Sequence, residues 1–265
     1  MRRKRRNLAG WGVALVAVVA VIAAAIVYTA NNSDTATAAT EKKGRGLTSE
    51  QQRAVLVSIS DQPETRFVRG PQTLKQAAAE NAFGAPPTMV FKPKSCVSYV
   101  EDALGALGSL DGWLQYGSRI NPTRNDNFIQ VVVTIPGGAD RALLDRIAAE
   151  AAKCRTGTLT LLGEATGNLS LTETKPLDIE GAETYAIQAN SKFPYKEGSR
   201  EAELVRRFEM PPDAQLLLDD ELTGIENSNF VAIGDTLIFV MEADRGLSDS
   251  LAKEMFKRVK AELDK

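Results

Sequence analysis

The first thirty residues constrain everything that follows them. Arg2, Arg3, Lys4, Arg5 and Arg6 form a basic cluster, and an uncharged run dominated by Ala, Val and Ile extends from Leu8 to Ala30. About 20 apolar residues in a helix cover a hydrocarbon core of about 30 Å. Within lipid the backbone polar groups have to be satisfied inside the segment, so such a run is helical. The positive charges lie on its N-terminal side. This predicts a cytoplasmic tail at 1–7, a single membrane-spanning helix at 8–30 and a C-terminal domain outside the cytoplasm. A cleaved signal peptide has the same basic start but an apolar stretch of about 7–15 residues. The small residues around Ala36 to Ala39 keep cleavage open as the alternative, and the function is extracytoplasmic in both cases. Residues 31–46 are small and polar, too poor in apolar surface to offset ordering, and read as a flexible linker. The exported domain is then 47–265.

Composition narrows the chemistry. The formal net charge of −2 mixes two compartments: without the basic residues at 2–6, 27 basic residues stand against 34 acidic ones, a balance of −7. An acidic exported domain argues against nucleic acid as a partner, which needs a basic stripe. The chain has no histidine. Histidine is the commonest general base near neutrality and the commonest metal ligand. Its absence removes Ser-His-Asp and Cys-His chemistry and the usual zinc hydrolase sites. A carboxylate pair or a Ser-Lys dyad stays open, and no cofactor or metal site is expected. There are two cysteines, Cys96 and Cys154. Exported thiols are expected to oxidise, and one bridge would close a loop of about 57 residues, worth roughly 4 kcal/mol in the chain-entropy model; two free thiols are the alternative.

Periodicity predicts the elements. Thr48 or Ser49 can cap a first helix with Glu50 and Gln51 in its first turn, ended by Asp61-Gln62-Pro63. A second helix is expected over 72–83 and a third from Cys96, capped by Ser95. Phe128 to Ile135 is β-branched and bounded by turn residues, a strong strand. Ala139 to Cys154 is amphipathic, with Leu143, Leu144, Ile147 and Ala151 on one face. Strands are expected at 158–162, 168–173 and 183–189, and 204–208 is ambiguous between strand and helix. Phe230–Ile233 and Thr236–Glu242 flank Gly234-Asp235 as a hairpin. A last amphipathic helix is expected over 248–263. The expected class is α+β, an antiparallel β-sheet with flanking helices.

This order of features resembles a family. The opening Leu47-Thr48 with Gln51, the run Ala54 to Asp61 ending in Asp61-Gln62-Pro63, the cysteine-led helix, the strand, the Leu-rich helix ending in Cys154 and the Gly234-Asp235 hairpin resemble actinobacterial extracytoplasmic sensor-type domains. These include the extracellular domain of mycobacterial receptor-type Ser/Thr kinases (PknH-like) and related lipoproteins. The resemblance covers roughly 47–263 and implies an antiparallel sheet with helices and a ligand cleft. The sequence departs from it in having one possible disulfide where the kinase domains have two, and in Ala151-Ala152-Lys153 before Cys154.

Candidate sites are few. Trp113 and Tyr116 could line a cleft or belong to the core. Asp219-Asp220-Glu221 with Glu226 could hold a cation or be a solvated turn. Pro136-Gly137-Gly138 before a helix could cradle an anion or be a plain strand-to-helix turn. The function expected is a membrane-anchored, non-enzymatic, sensor-like domain that binds an envelope ligand or a protein partner. The alternatives are a structural subunit of a membrane complex and a histidine-free envelope hydrolase. Intact-mass analysis of the membrane-extracted chain should find residues 1–30 retained; a mature N-terminus near Ala39 would replace the anchor with a signal peptide.

Overall fold

The β-branched run at 128–135 lies near the middle of a nine-stranded sheet formed by the described residues. The computed structural model describes residues 46–58, 65–80, 89–92, 109–120, 125–135, 137–161, 165–194 and 221–265. In chain order the elements are α1 (Ser49–Val55), β1 (Thr65–Thr73), α2 (Leu74–Ala79), β2 (Met89–Lys92), β3 (Gly112–Ile120) and β4 (Asn125–Thr134). Then come α3 (Arg141–Ala152), β5 (Thr156–Leu161), β6 (Ala165–Glu173), β7 (Glu183–Pro194), β8 (Glu221–Ile233), β9 (Thr236–Glu242) and α4 (Arg245–Leu263). The strand order is β1-β3-β4-β9-β8-β7-β6-β5-β2, and every neighbouring pair is antiparallel. The class is the α+β one expected: an antiparallel sheet flanked by helices.

Alternation assigns the side chains to two faces. All seven residues of β9 are buried. Ile238 and Val240 join the core under α4, and Leu237, Phe239 and Met241 fill the opposite face. On the first face, α4 lies over β8 and β9 while α1 lies over β3 and β4. Val55, Val132, Val231, Leu251, Met255 and Val259 meet there. On the second face, α3 packs against β7 and β8, burying Leu143, Leu144, Ile147 and Ala151. Each such aliphatic side chain contributes about 1.5–3 kcal/mol of burial.

Caps set the helix ends. Asp140 accepts from the Leu143 N–H at 3.0 Å and starts α3. Asp244 does the same for Leu247 at 2.8 Å. This cap starts α4 at Arg245, three residues before the expected Ser248, which is fully buried and donates its hydroxyl to the Asn227 carbonyl at 3.1 Å. Thr73 caps α2 in a capping box with Gln76. The backbone before it is strand, so the helix expected over 72–83 is observed as Leu74–Ala79. Strands β1 and β3 were not marked by the sequence. Gly70 and Pro71 interrupt β1, and Gly112 and Gly117 interrupt β3. Such residues are not strand signals. Gly112 is required by space: a Cβ there would lie 2.7 Å from Leu74 Cδ1 and from the Val132 carbonyl oxygen. The β8–β9 turn forms as expected, with Gly234 at φ 58°. The expected membrane span, the helix from Cys96 and the segment 204–208 lie outside the described residues. Among the described residues no helix is long and apolar enough to cross a membrane.

The chain enters the domain through a polar latch. Leu47 is buried, and Thr48 forms a capping box with Gln51. Gln51 donates to Glu262 of α4 at 3.0 Å. The fully buried Gln52 donates to Thr134 Oγ1 at 2.7 Å. Gln130, fully buried on β4, reads the next stretch as backbone. Its oxygen accepts the Val57 N–H at 2.8 Å and its nitrogen donates to the Val57 carbonyl at 3.1 Å. Gln115 donates to the same carbonyl at 3.1 Å, and Arg258 donates to the Leu56 carbonyl at 2.9 Å. A buried polar group stripped of its partner costs about 1–3 kcal/mol. Gln130→Leu should therefore lower stability by about 1–3 kcal/mol, measured as the urea midpoint at unchanged m-value. An unchanged midpoint would show that the latch contributes nothing.

Candidate functional site

The two aromatic residues of the candidate cleft are not brought together. They sit on β3 in regular register, three positions apart, and so face opposite sides of the sheet. Trp113 is half-buried under α1: its ring N–H donates to Ser49 Oγ at 2.8 Å, and the Arg53 guanidinium lies 5.5 Å from its ring centroid. Tyr116 is 4 % exposed on the other face. One cleft cannot hold both. The glycine turn before α3 is also engaged. The Gly138 N–H donates to the Ile135 carbonyl at 3.0 Å, and the Ala139 N–H donates to the Gly234 carbonyl at 2.7 Å. With Asp140 on the Leu143 N–H, these donors face the protein's own oxygens rather than an anion. Asp219 and Asp220 lie outside the described residues, and Glu226 is buried in β8. Cys154 is disulfide-bonded, the described residues hold no free cysteine, and Cys96 lies outside them. No group of three or more His, Cys, Asp or Glu among the described residues could hold a metal ion.

The site that the geometry does offer is a face. Helices α1 and α4 cover β3, β4, β9 and β8, and no helix of the described residues covers the same face of β7, β6 and β5. Cross-strand pairing fixes what stands there. Thr156 pairs with Ser170, and Ser170 with Asn190; Thr158 pairs with Asn168, and Asn168 with Lys192; Thr172 pairs with Gln188, and Gln188 with Asn227. Directly opposed residues share a face. Thr160 and Thr166 close the outer end, their hydroxyls 2.9 Å apart. These side chains are exposed or half-buried apart from Asn227. An antiparallel sheet with one face in water alternates in this way. The opposite face of the same strands carries Leu169, Leu171, Ile187, Ala189 and Phe193, all buried.

One edge of this face is tied together by hydrogen bonds. Asn190 donates to Gln188 Oε1 at 3.3 Å, Gln188 donates to Asn227 Oδ1 at 2.9 Å, and Asn227 donates to the Ala243 carbonyl at 2.8 Å, at the start of α4. Asn229, one row further, donates to Ser248 Oγ and to Asp249 Oδ1, both at 2.9 Å. The loop after β6 closes the end of the face. Thr184 donates to the Leu177 carbonyl at 2.6 Å and Arg245 to the Lys175 carbonyl at 2.9 Å, while Leu177 and Ile179 pack against the α4 core. The sequence marked β5, β6 and β7 as strands but not this surface. Its only signal was the polar member of each alternating pair, which strand propensity alone explains.

On the other face Tyr185 stacks on Phe230, ring centroids 5.7 Å apart, and Phe230 on Phe239 at 5.0 Å. The Tyr185 hydroxyl is buried without a hydrogen-bond partner. Burial, and then the Glu173 carboxylate, push its pKa up to about 12, with Arg155 opposing.

Two solved structures are similar to this chain. The extracellular domain of PknH from Mycobacterium tuberculosis shares 13% identity over 82% of this chain and 99% of that one, with a TM-score of 0.46. An uncharacterized protein from Mycobacterium smegmatis shares 12% identity over 80% of this chain and 95% of that one, with a TM-score of 0.36. No family model and no curated protein matches the chain.

Tyr185 gives a test of the buried face. Its folded pKa lies above the unfolded value of about 10, so its contribution to stability is complete below pH 10 and is lost as pH rises toward 12. Tyr185→Phe should flatten that alkaline loss and leave neutral stability unchanged or higher, since an unpaired buried hydroxyl is removed. Urea unfolding at neutral and alkaline pH measures both; an unaltered alkaline slope would contradict the assignment.

Proposed function

We propose that this chain is an extracytoplasmic, sensor-like binding domain, held at the cell membrane by the helix at 8–30, that engages an envelope component through the uncovered face of β5–β7. The observation that carries this reading is that face. Among the described residues, helices shield four strands of the sheet and none lies over this face of the next three, whose outward side chains are polar and hydrogen-bonded along one edge. A binding role without chemistry fits the histidine-free composition. In this reading Cys96 is the partner of Cys154, and the bridge adds roughly 4 kcal/mol by closing a loop of about 57 residues. The linker at 31–46 then holds the domain clear of the lipid surface.

The full chain, immobilised from detergent micelles, should retain a component of cell-envelope extract. The double substitution Ser170→Lys and Thr172→Lys should abolish retention, and Lys253→Glu on the exposed side of α4 should leave it intact. Equal retention by all three proteins would remove the face from the function.

A further inference from the structure

The class of ligand follows from which groups the uncovered face presents and how they are held; this rests on the docking role proposed above. Cores of protein–protein contacts are enriched in aromatic residues, Met and Arg. Among the described side chains on this face of β5, β6 and β7 there is none of these. Nucleic acids and other polyanions need a row of cations to neutralise their charges. The rows here are hydroxyls and carboxamides, with two lysines, Lys92 on β2 and Lys192 on β7, in the single row of Thr158 and Asn168 rather than a run of cations. What remains, outside that one row, is a surface of neutral groups that each donate and accept a hydrogen bond.

The amides are not loose. Asn190, Gln188 and Asn227 donate head to tail, each passing a bond on toward the Ala243 carbonyl. Bonds aligned in one sense polarise each other. The outer end of the chain is the Asn190 carboxamide oxygen, which takes no bond within it and is half-exposed. Beside it on β6 stand Ser170 opposite Asn190 and Thr172 opposite Gln188, with Asn168 one row away. Adjacent strands are about 4.8 Å apart and alternate residues about 6.6–7 Å, so these groups form a flat grid. Amides already fixed by their neighbours lose little freedom when they bind. A ligand matching the grid is uncharged, extended and rich in hydroxyls, each of which also donates and accepts. We infer that the face binds a neutral polysaccharide strand, read by the Asn190–Gln188–Asn227 amide chain together with Asn168, Ser170 and Thr172.

The test is calorimetric titration of the full chain in detergent micelles. Dextran, mannan and arabinan serve as neutral probes and polygalacturonate as the anionic one. At least one neutral probe should bind and polygalacturonate should not. Asn190→Ala and Thr172→Ala should each weaken binding at least about tenfold at unchanged melting temperature. Asn190→Asp, which keeps the shape and removes the donor, should weaken it as well. Failure of every neutral probe to bind, or equal binding by the variants, overturns the inference. Envelope retention that is lost on protease treatment of the extract, yet still abolished by the double lysine variant, overturns the polysaccharide and leaves the docking face standing. Retention indifferent to that variant overturns both.

Discussion

A nine-stranded sheet has to be covered, and the helices among the described residues cover only some of its strands. A helix with its side chains is about 10–12 Å wide and strands lie about 4.8 Å apart, so each helix shields about two strands. On one face α1 and α4 shield β3, β4, β9 and β8. The interior strand β9 can then be apolar on both sides, and it is buried along its whole length. Beyond β8 no helix of the described residues lies over this face, and most outward residues there are Thr, Ser, Asn and Gln. The same limit that gives the sheet its buried centre therefore creates its polar wing.

The boundary is built as carefully as the core. Asn227 and Asn229 lie at the line between covered and bare sheet, and each is tied to α4 rather than left to water. On the other side of the core, Gln130 and Gln115 pair with the backbone of Val57 as a neighbouring strand would. These buried amides specify where α4 and the N-terminal segment dock, since an unpaired one costs more than an apolar misfit. The segment around Val57 is thereby fixed to β3 and β4, the second and third strands of the sheet.

How much of this the sequence disclosed depends on the element. β4, α3, the β8–β9 hairpin and α4 were legible because their periodicity is strong and their ends carry turn residues or Asp caps. β1 and β3 were hidden by Gly70, Pro71, Gly112 and Gly117, whose presence answers to tertiary contacts such as Leu74 against Gly112. Trp113 and Tyr116 drew notice as a pair because they are near in sequence, but an odd separation on a strand puts them on opposite faces. The polar wing was invisible for a different reason. Thr and Asn alternating with Leu and Ala marks a half-buried strand, and only the sheet order reveals that three such strands lie side by side with no helix of the described residues over them.

The central claim is that this wing is bare and lies outside the cytoplasm. Alkylation of single-cysteine variants in intact cells by a membrane-impermeant maleimide tests it most directly. Thr172→Cys should label rapidly without permeabilisation. Ser228→Cys, buried on the opposite face of the sheet, should stay unlabelled until the protein is denatured. Labelling of Thr172→Cys only after the membrane is opened, or equal labelling at both positions, would contradict the account.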